Sequence, residues 1–352
     1  MKGMAMTIVE TPTITGGVDT HLDVHVAAAL DSIGGLLGVE SFPTTPAGYG
    51  ALTDWLCAFG TLGRVGVEGT GSYGAGLTRH LHAAGITVVE VNRADRAARR
   101  QHGTSDPLDA VSAARAALSG RAHGSSKGRD GQVEAIRTLM VTKRSARRDR
   151  TATINQMRAL VSTAPDDIRV RFARHSTLSL VIEAAAMRPR SGEIVGYATR
   201  VALRELGRRA LYLAEEIDRV EELLVPLVID RAPALLAIAG VGPDTAAILL
   251  IAAGDHPDRL RSEAAWAHLC GAAPIPASSG KITRRRLNPA GDRQANHALW
   301  RIVLSRMSFE PRTRAYVERR VLEGKSKMEI IRCLKRYVAR EVYPLLRVAV
   351  AD

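Results

Sequence analysis

Strand and helix signals alternate over about the first 125 residues in a fixed order. GVDTHLDVHVAAAL, from Gly17, reads as two β segments broken near His21, and GGLLGVESF, from Gly34, as a third. The spacing then predicts a helix from Ala47 to about Ala58 and a short buried strand, RVGVE, from Arg64. GSYGAGLTRHLHAAG follows as a helix ending at Gly85, and ITVVEV as a continuous apolar strand. A further helix opens after Asp106 and runs through AVSAARAAL. Three strands, a helix, then strand–helix–strand–helix calls for a mixed central sheet with helices against it.

That order is the order of the ribonuclease H-like fold. Beyond it the chain changes character. Between about Val133 and Ala232 strand signals fade. Leu206, Ala210, Leu213, Ile217, Val220, Leu224 and Leu227 fall alternately four and three residues apart, a coiled-coil seam flanked by Glu and Arg. The same pattern suits an amphipathic helix packed inside its own chain. From about Pro233, LLAIAGVGPDTAAILLIA resembles two helices joined at a GxG turn, a helix-hairpin-helix, with Gly240 and Gly242 freeing backbone N–H groups to meet a phosphate. The expected division is therefore residues 1–128 as an α/β catalytic domain, 129–230 as a helical, coiled-coil region, and 231–352 as a mainly α C-terminal domain.

Charge narrows the partners. Lys and Arg number 49 against 36 Asp and Glu, a formal +13, which favours a polyanion such as DNA or RNA. Aromatic residues make up only 4%, which argues against base stacking as the main mode of recognition. KRSARRDR, from Lys143, places Lys143, Arg144, Arg147 and Arg148 on one basic helical stretch. A second run holds Lys281, Arg284, Arg285 and Arg286. Both are candidate backbone contacts. Cys57, Cys270 and Cys333 are widely separated and form no CxxC pair, as expected of free thiols in a reducing cytoplasm. The longest apolar run, AAILLIAA from Ala246, falls far short of the roughly 20 residues that span a bilayer, so no membrane partner is expected.

Within so basic a chain, four acids stand in contexts that bring distant side chains together: Asp19 in GVDTHLD, Glu68 in RVGVEGTGSYG, and Asp106 with Asp109 in SDPLDA. Asp19 ends the first strand signal. Glu68 ends a later one, and ligands gather at the carboxyl ends of strands in α/β sheets. Asp106 and Asp109, three apart, share a helix face. Two carboxylates 4 Å apart repel by roughly 4 kcal/mol at an effective dielectric of about 20. A divalent cation removes that cost, and oxygen ligands suit Mg²⁺, with Mn²⁺ as a substitute. Asp23, close by, reads as solvent-facing or supporting.

GVDTHLD, VGVEGTGSYG, SDPLDA and, far downstream, GAAPIPASSG followed by GDR resemble the DEDD transposases of bacterial insertion sequences and their relatives, the Piv-type DNA invertases. The resemblance runs over almost the whole chain with its motifs in order. It implies a RuvC-like first domain in which Asp19, Glu68, Asp106 and Asp109 bind Mg²⁺, and a C-terminal transposase domain that contributes a serine. Ser279, next to Gly280, fits that role better than Ser278. It further implies donor and target DNA as substrates, a covalent phosphoserine intermediate, guidance by a noncoding RNA of the element, and a homo-oligomer, dimer or tetramer. Thr104 departs from the pattern, since members of the family often carry Lys there. The competing readings are a metal-dependent, structure-selective endonuclease of the Holliday-junction type, an actin-like ATPase, and a non-catalytic nucleic-acid-binding protein. The ATPase reading suffers because no glycine-rich phosphate turn follows Asp19 directly.

Overall fold

The computed structural model describes residues 12–91, 105–120, 122, 124–125, 131–189, 192–254, 260–277 and 285–351. The chain forms two compact units. One comprises Met1–Gly131, Ala253–His268 and Val350–Asp352, the other Gln132–Ala252 and Leu269–Ala349.

The first unit is built on a sheet in the order β3-β2-β1-β4-β5-β6, counted among the described residues. Its strands are β1 (Thr13–Thr20), β2 (Val24–Leu30), β3 (Leu36–Pro43), β4 (Thr61–Glu68), β5 (Thr87–Val91) and the short β6 (Gly124–Ser125). β1, β2 and β3 form an antiparallel meander, β4 and β5 run parallel to β1, and β6 is antiparallel to β5. The helices are α1 (Pro46–Cys57), α2 (Ala75–Ala83) and α3 (Asp106–Leu118). The order and the mixed directions are those expected of a ribonuclease H-like domain. α1 starts where sequence chemistry places it: Thr45 accepts from the Gly48 N–H at 3.1 Å, and Pro46 needs no N–H partner in the first turn. Gly85 ends α2 at φ +73°, a conformation that costs a glycine little.

The two faces of this sheet differ in side-chain size, and that difference positions the site. One face presents Ile14, Val18, Val65 and Val67 to Leu52 and Leu56 of α1 and to Leu77 and Leu81 of α2. The other presents Gly17 and Gly66, which are register partners on β1 and β4. A Cβ on Gly17 would sit 2.1 Å from the Ala114 nitrogen, and one on Gly66 would sit 2.5 Å from the Ala113 carbonyl oxygen. Buried Ala110, Ala113, Ala114 and Ala117 complete the fit from the helix side. α3 therefore rests on the strand backbones themselves.

The second unit is helical. α4 (Gln132–Thr163), α5 (Asp166–Phe172), α6 (Thr177–Ala185) and α7 (Ile194–Arg231) lead to α8 (Pro233–Leu236) and α9 (Pro243–Ala253). α10 (Glu263–Leu269) falls, but for its last residue, in the first unit, and β7 (Ile275–Pro276), β8 (Arg285–Arg286), α11 (Arg293–Phe309), α12 (Pro311–Leu322) and α13 (Lys327–Ala351) follow in the second. α4 and α7 lie antiparallel, with Gln132 at the start of α4 donating to the Leu227 carbonyl and to Asp230 at the end of α7. The heptad positions of α7 are occupied within the chain. Ala210 joins Ile154, Met157 and Leu180 in one cluster, and Leu213 and Ile217 meet Ala146 of α4 in another. Where the GxG motif lies, α8 is a single turn, Gly240 adopts φ +77°, and α9 begins at Pro243.

Candidate metal centre

The residue after Val18 on β1 is Asp19, and the residue after its register partner Val67 on β4 is Glu68. Alternation of side chains along a strand puts both acids on the face of Gly17 and Gly66, two residues further toward the carboxyl ends. That is the face on which α3 is seated, and α3 brings Asp106 and Asp109 in its first turn. A helix N-terminus is the favourable end for negative charge, which partly offsets the repulsion among the acids. The glycine pair sets how near the helix comes, and the acids are the next residues along.

Asp19 is 7% exposed, whereas Asp106 is open to solvent and Glu68 and Asp109 are half-buried. Burial pushes the Asp19 carboxyl above its ordinary value. His21 draws it down by charge and hydrogen bond, and Asp109 and Asp106 push it up. A bound cation would oppose these effects by favouring the charged carboxylate. His21 Nε2 lies 3.1 Å from Asp19 Oδ2 and 3.4 Å from Asp106 Oδ1. One ligand atom from each of Asp19, His21 and Asp106 falls within 4.8 Å of the others, compact enough for one divalent ion. The Thr20 hydroxyl donates to the Glu68 carbonyl oxygen at 2.8 Å, tying the ends of β1 and β4 together behind the acids.

Sequence reasoning did not select His21, although the signal was present. It lies two residues after Asp19, in the turn that the His21 N–H closes onto the Val24 carbonyl at 3.2 Å.

Residues 16–164 match the DEDD transposase family of IS110 elements, and residues 232–318 match the transposase family IS116/IS110/IS902. The chain belongs to the IS110 transposase family. The first match contains all four acids of the tetrad, and the second contains Ser279 and the basic run after it. An insertion element IS110 uncharacterized 43.6 kDa protein of Streptomyces coelicolor is 31% identical over 117 residues. That stretch is 33% of this chain and 29% of the relative.

Other residues expected to act in this IS110 family member fare differently. Ser278, Ser279, Lys281 and Arg284 lie outside the described residues, as does the basic stretch 93–104 with Thr104. Arg285 and Arg286 form β8, paired with β7, and Arg286 is exposed. Lys143 corrects the expectation of a nucleic-acid contact. It is fully buried, with Nζ 2.7 Å from Asp244 and 2.9 Å from Glu221. Arg147 is bound to the same Asp244. These two cations therefore hold α4 to α7 and α9. Arg144 donates to the Met140 carbonyl, and Arg148, exposed, reaches Asp149 and Ser145. Among the described residues, no helix is long and apolar enough to cross a membrane.

Proposed function

We propose that the protein is a site-specific DNA recombinase that moves an insertion sequence by cutting and rejoining DNA. The observation that carries the reading is the buried Asp19 carboxylate, placed with His21 and Asp106 at the end of β1 in a strongly basic chain. Asp19, Glu68, Asp106 and Asp109 would hold Mg²⁺, or Mn²⁺ in its place, and the donor set suits a hard cation. When bound, the ion stabilises charge on the phosphoryl oxygens. In this reading residues 1–128 carry the acids, 129–230 form a helical region, and 231–352 supply the nucleophile.

The Ser279 hydroxyl would attack the scissile phosphorus. Its Oγ–P bond forms as the bond to a deoxyribose oxygen breaks, and the proton leaves the serine for the departing oxygen. Attack by a hydroxyl of another strand reverses the exchange, rejoins DNA and restores the serine, with no net hydrolysis. Arg285 and Arg286, with Lys281 and Arg284, would stabilise the transferring phosphate. Donor and target DNA, a noncoding guide RNA, a homo-oligomer and a cytoplasmic setting complete the proposal, on the strength of the family.

The test is a denaturing gel of full-length protein after incubation with DNA carrying the element ends. Wild type should show a covalent protein–DNA species, and Ser279→Ala should bind DNA without forming it. Ser278→Ala should retain it. Cleavage with no adduct in the wild type would overturn the serine mechanism in favour of a metal-only endonuclease.

A further inference from the structure

A cavity of about 960 Å³ opens between the Gly271–Pro274 segment, the Arg286–Asn288 stretch and α13. Its lining includes Arg286, Arg332, Lys335, Arg336 and Arg340. Among the described residues, the acid that lines it is Glu329, and that carboxylate already accepts from the Ser326 N–H and hydroxyl at the start of α13. Lys335 Nζ donates to Asn296 Oδ1 at 2.9 Å, and Asn296 Nδ2 donates to the Cys270 carbonyl at 2.8 Å. The ammonium is thus held in a fixed direction by a neutral amide. Burial pushes the Lys335 pKa down, and the charge of Arg332 beside it pushes it the same way.

The space is larger than one phosphate requires and leaves room for the sugar or base attached to it. Tyr337 and Leu287 line it as well and are 51% and 65% exposed, offering apolar surface beside the cations for a sugar or base. We infer that this cavity binds the sugar-phosphate backbone of a single nucleic-acid strand, with Lys335, oriented by Asn296, as an anchoring phosphate contact. The inference rests on the nucleic-acid reading above for the identity of the ligand. Its α13 cations lie past residue 318, where the family match ends.

The test measures binding of a short labelled single-stranded oligodeoxynucleotide, and of its RNA counterpart, to the full chain across a salt series. Lys335→Gln and Arg332→Gln should each weaken binding about tenfold. Each should also reduce the magnitude of the slope of log K against log salt by about 0.7. Lys335→Arg should retain binding, and Arg219→Gln, on α7, should match wild type. Wild-type affinity and slope in both Lys335→Gln and the exposed Arg332→Gln, with unchanged melting temperatures, would overturn the cavity assignment and leave the recombinase reading intact. A wild type that binds no oligonucleotide, or is competed equally by inorganic phosphate alone, would overturn the inference. The recombinase reading is decided separately, by the covalent adduct on DNA carrying the element ends. The DNA and RNA arms decide which strand the cavity takes.

Discussion

His21 shows how a single residue joins a site by position. Its Nε2 lies between Asp19 and Asp106, which come from different elements, so it is placed either to hold these carboxylates or to offer its nitrogen to a cation seated between them. Partners of this kind typically change metal affinity by about 10–100-fold. His21→Ala should therefore weaken Mn²⁺ binding by about tenfold or more while the fold melts at an unchanged temperature. Equal affinity in a titration would make His21 a bystander. The sequence sets each of the four acids at a strand end or in a helix first turn, and the structure gathers Asp19 and Asp106 with His21 into one compact group that does not include Glu68 or Asp109. The histidine was not legible in the sequence, because a lone His beside a strand is more often structural, and only the three-dimensional position of Asp106 gives it a second partner.

At the scale of elements, α3 is the part on which the site depends. Gly17→Ala would force a methyl group against the Ala114 backbone, and overpacking of this sort costs about 1–3 kcal/mol. The expected outcome is a lower melting temperature together with weaker metal binding, since α3 carries Asp106 and Asp109. A variant that loses neither would show that the close seating is unimportant. The succession of strands and helices up to α3 was readable from periodicity because most of its strands are short apolar runs cut by turn residues, whereas the two-residue β6 has no such run. The glycine seats were not readable, since GGVDT alone does not say which face a helix occupies.

Lys143 is the opposite case: its basic run has the composition of a surface, yet its side chain is fully buried. Ile136, Met140 and Lys143 are spaced four and three apart, so the ammonium falls on the buried stripe of α4. Burial opposes ionisation of Asp244, but the hydrogen bonds from Lys143 and Arg147 outweigh it and hold the carboxyl below the usual carboxylate value. A depressed folded pKa means that this stabilisation is complete above the unfolded value of about 3.9 and is lost as pH falls through the folded one. Thermal unfolding should therefore show a loss at acid pH below about 4 that Asp244→Asn lacks. At neutral pH Asp244→Asn should itself be destabilised by about 3 kcal/mol, because it leaves Lys143 short of a partner. Identical acid profiles for the two proteins would remove Asp244 from the account.

On the scale of the whole molecule, a +13 chain carries a small group of clustered acids, and the two kinds of charge serve different ends. Cations spread along the chain attract a polyanion at long range, whereas clustered carboxylates accept a compact divalent ion. Ser279 was reached only through the resemblance, since a serine–serine–glycine run has no local feature that marks it as a nucleophile. The central claim is that the carboxyl ends of β1 and β4 and the first turn of α3 form a metal centre. Electron paramagnetic resonance of Mn²⁺ titrated into the full chain tests it most directly. The account predicts saturable binding in the wild type that is lost in Asp19→Asn and in Asp106→Asn, with folding retained. Equal Mn²⁺ binding in the wild type and in both variants would contradict it.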